Sequence, residues 1–451
     1  MQTILFFIAP AASHYMATFQ FAMDLKDQGF KVTYAGEQGF EKLVQRQGFE
    51  FQLFNTILRP IDDRSSLMSK LLKGISRKRR KAGHEYFLAE KTRLEQLLSS
   101  VNPDFAIIDA PLSIYSAMFP EQKAGIIQTM MSTDQQPGIP PLNQAYVAQS
   151  KEKASGYVSW LWQLYFTRRR MAMWWQKIQN GGIDNLSLLY DDMKSRGYNP
   201  KEILDFKKTF HPGIKGLPEF ITTSPALDFP WKKPKSGQYF LGPSIATERE
   251  EAADKEAFQR VITRLDDRKK AGHTFSTIYC SLGTVAPRVF KYFNKFIDNL
   301  VTAFGNKEEY EVIISLGGAN STKVSPGFPD NVHLLSLVPQ IKMLQQADVM
   351  IAAPGLNSIK ECIYYGVPMV LFAYNPYWDH NGNAARVKFH NLGVVGNIYK
   401  DSASDLAKHV DEAITNSHIR SNLNKMQEIF RDQNQPGFRK SAISKVQDMI
   451  G

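Results

Sequence analysis

Two kinds of apolar pattern alternate along the chain: short unbroken runs, and longer stretches in which apolar residues recur every three or four positions. Thr3 to Pro10 is a run of the first kind and predicts a buried strand. Tyr15 to Gln28 follows with Met16, Phe19 and Met23 at helical spacing; Gly29 closes it, and Lys31 to Gly36 begins another strand. Phe105 to Asp109 repeats the strand pattern and ends in an acid. Further on, Thr277 to Cys280, Val312 to Leu316, Val332 to Leu337, Ala347 to Ala352 and Val367 to Phe372 read as strands. Between the last two, Ile359, Cys362 and Ile363 share one face of a helix. Gly366 stands where a helix end needs positive φ, with Pro368 just beyond. Strand–helix–strand units with short connections are parallel and right-handed, so the fold class is α/β. In such sheets ligands gather beyond the carboxyl ends of the strands, where helix N-termini present unpaired N–H groups. Gly355, Leu356, Asn357 and Ser358 occupy one such place, and an anion, a phosphate above all, suits it.

The chain has 451 residues, enough for two cores of roughly 200 residues each. Hydrophobic residues make up 43%, with 29 Phe and 18 Tyr, so the material for both cores is present. The two cysteines, Cys280 and Cys362, fall inside buried elements, which fits a reducing compartment better than a disulfide scaffold. No apolar run reaches the ~20 residues of a membrane span, and Ile4 to Ala12 lacks a basic leader. The expectation is a cytoplasmic protein. A net charge of +11 could point to nucleic acid, but no zinc spacing, aromatic ribonucleoprotein box or helix-turn-helix accompanies it. No nucleic-acid partner is therefore expected, and Arg77 to Lys81 reads as a solvated face.

Four of the six tryptophans, Trp160, Trp162, Trp174 and Trp175, lie around Arg168, Arg169 and Arg170. That mixture fits a helix packing its aromatics into the core, a wall of an apolar acceptor pocket, or an interfacial helix touching a membrane surface.

Several fixed spacings carry a family resemblance. Pro339-Gln340, Asn357-Ser358, Glu361, Gly366-Val367-Pro368, Asp379, Asn383-Ala384 and Arg386 closely resemble the donor-binding signature of family 1 UDP-glycosyltransferases. The resemblance implies a GT-B fold, two Rossmann-like parallel-sheet domains facing a central cleft. It implies an acceptor-binding domain over 1–243, a nucleotide-sugar domain over 244–416, and final helices over 417–451 that cross back to the first domain. Leu217-Pro218-Glu219, Leu227-Asp228-Phe229-Pro230 and Phe240-Leu241-Gly242-Pro243 resemble the end of the first domain in bacterial members.

By the same resemblance His14 is the base that takes the acceptor's proton, and its Ser13-His14 pair is similar to the carotenoid glucosyltransferase branch. Asp109 matches the aspartate that orients it. Ser281, Gly283 and Thr284 match the loop facing the diphosphate, Val338 and Gln340 the base contacts, Glu361 the ribose acceptor, and Asp379 with His380 the sugar contacts. Small residues in the first of these let backbone approach an anion. A UDP-sugar is then a co-substrate and no cofactor is expected. No Asp-x-Asp triplet occurs, so metal independence is expected as well. The acceptor implied is an apolar alcohol of carotenoid, polyketide, flavonoid or lipid type. Two departures stand out: Ala353 where most members have a phosphate-binding histidine, and His380 where glutamine is usual. A non-catalytic relative and a sugar-nucleotide epimerase are the rival readings.

Overall fold

The computed structural model describes residues 1–55, 77–131, 135–147, 150–179, 182–205, 213–318 and 327–451. Its first half is built on strands β1 (Thr3–Phe7), β2 (Lys31–Gly36), β3 (Glu50–Leu53), β4 (Phe105–Asp109), β5 (Ala124–Gln128), β6 (Glu219–Ile221) and β7 (Gln238–Phe240). They lie in the order β3-β2-β1-β4-β5-β6-β7, every pair parallel. The second half contains β8 (Ser276–Ser281), β9 (Tyr310–Ser315), β10 (Val332–Leu335), β11 (Val349–Ala352), β12 (Met369–Phe372) and β13 (Gly393–Gly396), ordered β10-β9-β8-β11-β12-β13 and again parallel.

In each sheet the first strand lies between its successor and a later strand, so the chain reverses direction across the sheet there. Such a switch point opens a crevice at the carboxyl ends. In the first sheet it falls between β1 and β4, in the second between β8 and β11.

The central strands of both sheets, such as β1, β4, β11 and β12, are buried on both faces and are continuous apolar runs, whereas the edge strands β3 and β7 are exposed or half-buried. Ile4 and Phe6 pack on one side of β1, Leu5 and Phe7 on the other. The helices that matter for the site are α1 (Ala12–Asp27), α2 (Lys151–Gln179), α3 (Lys255–Lys270), α4 (Leu356–Tyr365), α5 (His380–His390), α6 (Ser417–Gln433) and α7 (Lys440–Ile450). Ile359, Cys362 and Ile363 of α4 pack with Leu423, Met426 and Phe430 of α6 in one core of the second half. The last helix lies elsewhere: Ala442, Ile443, Val446 and Ile450 of α7 join Ile4 and Phe6 in the core of the first.

One sequence expectation is corrected. The residues from Pro10 to His14 read as a loop, yet α1 starts at Ala12 and puts His14 in its first turn. Ala11, Ala12 and Ser13 give no periodic apolar signal, which is why the pattern set the start three residues late.

Candidate active site

The two switch points hold His14 and Asp109 in the first half, and Ser281, Gly283, Thr284 and Gly355 to Glu361 in the second. His14 follows β1 and Asp109 ends β4, neighbours in the sheet. His14 Nδ1 lies 2.5 Å from Asp109 Oδ2, and the carboxylate is fully buried. The backbone N–H of Ala9 also donates to that oxygen at 3.2 Å. Thr129, one residue past β5, closes the group. Its hydroxyl donates to Asp109 Oδ1 at 2.9 Å and stands 2.7 Å from His14 Nδ1. Burial pushes the His14 pKa down, but the charge and hydrogen bond of Asp109 outweigh it, and the net shift is upward. An imidazole whose Nδ1 proton is committed to a carboxylate offers its Nε2 lone pair, the form a general base needs. The charge of Asp379, from the second half, adds to the upward shift.

On the facing wall, α4 starts at Leu356 after Gly355, with no side-chain cap and no acid in its first turn. Its leading N–H groups and positive dipole end are open to an anion. Asn357, in that turn, donates from Nδ2 to the carbonyl of Ser13 at 2.7 Å. The uncapped turn is thus joined directly to the residue before His14. Ser281 ends β8, and Gly283 takes φ 84° in the exposed turn beyond it. A Cβ on Gly317, at φ 63°, would come 2.6 Å from the Gly283 carbonyl, so the turns after β8 and β9 touch only because position 317 is glycine.

Asp379 caps the region from below. Its Oδ2 accepts from Asn383 Nδ2 at 2.9 Å, and the same amide donates to the Pro354 carbonyl at 3.0 Å. His380 is buried against Tyr374 and Trp378, which lowers its pKa. Its Nδ1, like Asn383 Oδ1, is buried without a protein partner among the described residues.

Val338 and Gln340 flank this wall, Val338 buried in the second core. Glu361 is only 2% exposed and already holds two partners, Arg249 Nη1 and Gln340 Nε2, each at 2.6 Å. Arg386, grouped with the donor signature by spacing, does different work: it is buried and its Nη2 pairs with Asp228 Oδ1 at 2.7 Å, tying the second half to the first. The four tryptophans of α2 divide. Trp162 is buried and donates from Nε1 to the Ile139 carbonyl at 2.7 Å, Trp175 is half-buried, and Trp160 and Trp174 are 53% and 63% exposed.

Sequence reasoning missed Thr129 and Arg249. The first carries the signal of any polar residue at the carboxyl end of a strand beside β4. The second is hidden in a charged stretch, Glu248 to Glu251, that reads as a linker.

Residues 299–437 match the family model for the C-terminal domain of erythromycin biosynthesis protein CIII-like proteins. An uncharacterized UDP-glucosyltransferase of Bacillus subtilis, YdhE, is 29% identical over 236 residues, 50% of this chain and 54% of that protein. The chain thus spans about half the length of that relative. The NDP-glycosyltransferase YjiC of the same organism is 22% identical over 97% of this chain and 95% of its own. Among solved structures, the calicheamicin glycosyltransferase CalG4 superposes with a TM-score of 0.65 at 16% identity, covering 100% of this chain and 98% of its own, a likeness of fold. The donor signature lies inside the matched family segment, on a GT-B frame shared over the whole length, and together these similarities support a family 1 UDP-glycosyltransferase.

Proposed function

We propose that the chain transfers a hexose from a UDP-sugar to a hydroxyl of an apolar acceptor, with inversion at the anomeric carbon and without a metal ion. The observation that supports it best is the His14–Asp109–Thr129 group, set across the cleft from the uncapped first turn of α4. The acceptor oxygen attacks the anomeric carbon while its proton passes to His14 Nε2. The bond from that carbon to the β-phosphate oxygen breaks, and UDP leaves with the electron pair. Charge building on the diphosphate is met by the N–H groups of Leu356 to Ser358 and by the turn at Ser281, Gly283 and Thr284, which are already oriented. Asp379 and His380 would hold the sugar's hydroxyls. Exposed Trp160 and Trp174 suit the mouth of an apolar acceptor site.

Incubation with labelled UDP-sugars, alone and with a panel of apolar and small polar alcohols, read by mass spectrometry, tests this. The expected result is slow donor hydrolysis, glycosides of apolar alcohols, and loss of both by about 10²- to 10⁴-fold in His14→Ala. Absence of hydrolysis with every donor would return the protein to the non-catalytic reading. Proton coupling at the product's anomeric carbon reports inversion, and activity retained in a chelator reports metal independence.

A further inference from the structure

Beneath the donor wall lies a buried charge cluster that neither the catalytic group nor the tethers between the halves use. Arg249, in the segment between β7 and α3, has a side chain only 4% exposed. Its Nη1 meets Glu361 Oε1 at 2.6 Å, while Nη2 and Nε meet Glu251 Oε1 at 2.7 and 3.2 Å. The second oxygen of Glu251 accepts the backbone N–H of Ile341 at 2.9 Å, next to Gln340. Gln340 in turn donates to Glu361 Oε2. One guanidinium thus lies between the buried carboxylate of Glu361, the donor-site acid, and the carboxylate of Glu251, whose side chain is 12% exposed.

We propose that Arg249 is a positioning residue that holds Glu361 aimed at the nucleotide, so that the enzyme distinguishes ribose from 2′-deoxyribose donors. This rests on the reading of the wall around α4 as a nucleotide-sugar site. An ionised carboxylate offers about four lone-pair sites and donates nothing. Arg249 and Gln340 take one on each oxygen, leaving one on each, which matches the two hydroxyls of a ribose. Hydrogen bonds to a charged acceptor are the strong kind, so a missing 2′-hydroxyl should be felt. Without the guanidinium, Glu361 and Glu251 would be neighbouring acids with no cation between them. Burial and mutual repulsion both favour a proton on one of them. Burial and the Glu361 charge already raise the Glu251 pKa against the pull of Arg249. A Glu361 that has lost its Arg249 bond and swung away no longer accepts both hydroxyls, and the ribose preference goes with it.

The test is calorimetric titration of the full chain with UDP and with dUDP, which needs neither the sugar nor the acceptor. Wild type is expected to bind UDP about tenfold or more tighter than dUDP. Arg249→Met, and Arg249→Gln should the first not fold, are expected to bring the two within about threefold. Arg249→Lys, which keeps a cation at the carboxylate, should retain most of the preference. A folded Met or Gln variant with the wild-type ratio overturns the inference, as does a Lys variant that behaves like Met. Equal affinity of wild type for both nucleotides overturns it too while leaving the donor site standing. Binding of neither nucleotide overturns the inference and the donor-site reading together.

Discussion

At His14 the pH dependence of the reaction can be argued from its neighbours. The base must be unprotonated, so kcat/KM should rise with pH and reach half its plateau at the His14 pKa, above the ordinary imidazole value. The upward shift comes from the Asp109 charge and hydrogen bond acting against burial. Asp109→Asn removes the charge and leaves burial in command, so the rising limb should move to lower pH while the plateau falls at least about tenfold. Thr129→Val, which keeps the shape without the hydroxyl, should lower the plateau by less. A pH–rate profile for wild type and both variants checks this, and a limb that does not move in Asp109→Asn excludes the assigned pairing. Asp109 was legible because it ends a strand pattern, His14 because it follows one closely, and both because they match a known spacing. Thr129 was not, because its role comes only from the pairing of β4 with β5.

Among the elements, α4 carries the most conflicting demands. Its first turn has no side-chain cap, while Ile359, Cys362 and Ile363 pack inward and Gly366 takes φ 72° at its end, the last two as its sequence pattern implies. What the pattern could not tell is that Lys360 and Glu361 are buried as well, 1% and 2% exposed. Helical periodicity sorts apolar from polar, but this helix lies between two halves and has almost no solvent face. Lys360 Nζ donates to the Thr222 carbonyl of the first half at 2.7 Å, and burial pushes its pKa down to about 7. The sign follows from proton counting. Between about 7 and the ordinary lysine value of 10.5 the unfolded chain binds the proton that the folded one releases, so stability rises with pH across that window. Below it, the cost of a buried ammonium is fully present. Lys360→Met should therefore stabilise the fold by about 1–3 kcal/mol at pH 6, with the gain shrinking toward pH 9. Thermal melts at the two pH values decide it, and a variant less stable than wild type at pH 6 would show that the bond to Thr222 outweighs the burial.

On the scale of the molecule, the question is what makes two sheets with separate cores behave as one body. The sequence placed both sheets because parallel strands are long apolar runs, but the ties between them are single residues far apart in the chain. Arg386 meets Asp228, Gly382 N–H donates to the Leu142 carbonyl at 2.7 Å, and Arg439 pairs with Asp24. None has a periodic signature, and only the family spacing pointed to Arg386. Arg439 is the most consequential. It is fully buried where the chain turns from α6 into α7, its guanidinium meets both oxygens of Asp24 on α1, and its Nη1 donates to the Asn434 carbonyl at 3.0 Å. This pair fixes the point at which the chain leaves the second half and sets α7 onto the first sheet. Removing one partner of a buried ion pair strands the other, which costs about 3–5 kcal/mol, more than the pair itself contributes. Arg439→Met should cost that much, and Asp24→Asn alone a comparable amount. The double variant Asp24→Asn, Arg439→Met should recover much of the loss, because no unpaired charge is left. Arg439→Met should also loosen α7 from β1, so amide exchange in 440–450 should quicken ahead of global unfolding. Denaturant melts of the three variants with hydrogen exchange over α7 test the account, and additive losses in the double variant would mean that the two side chains act separately.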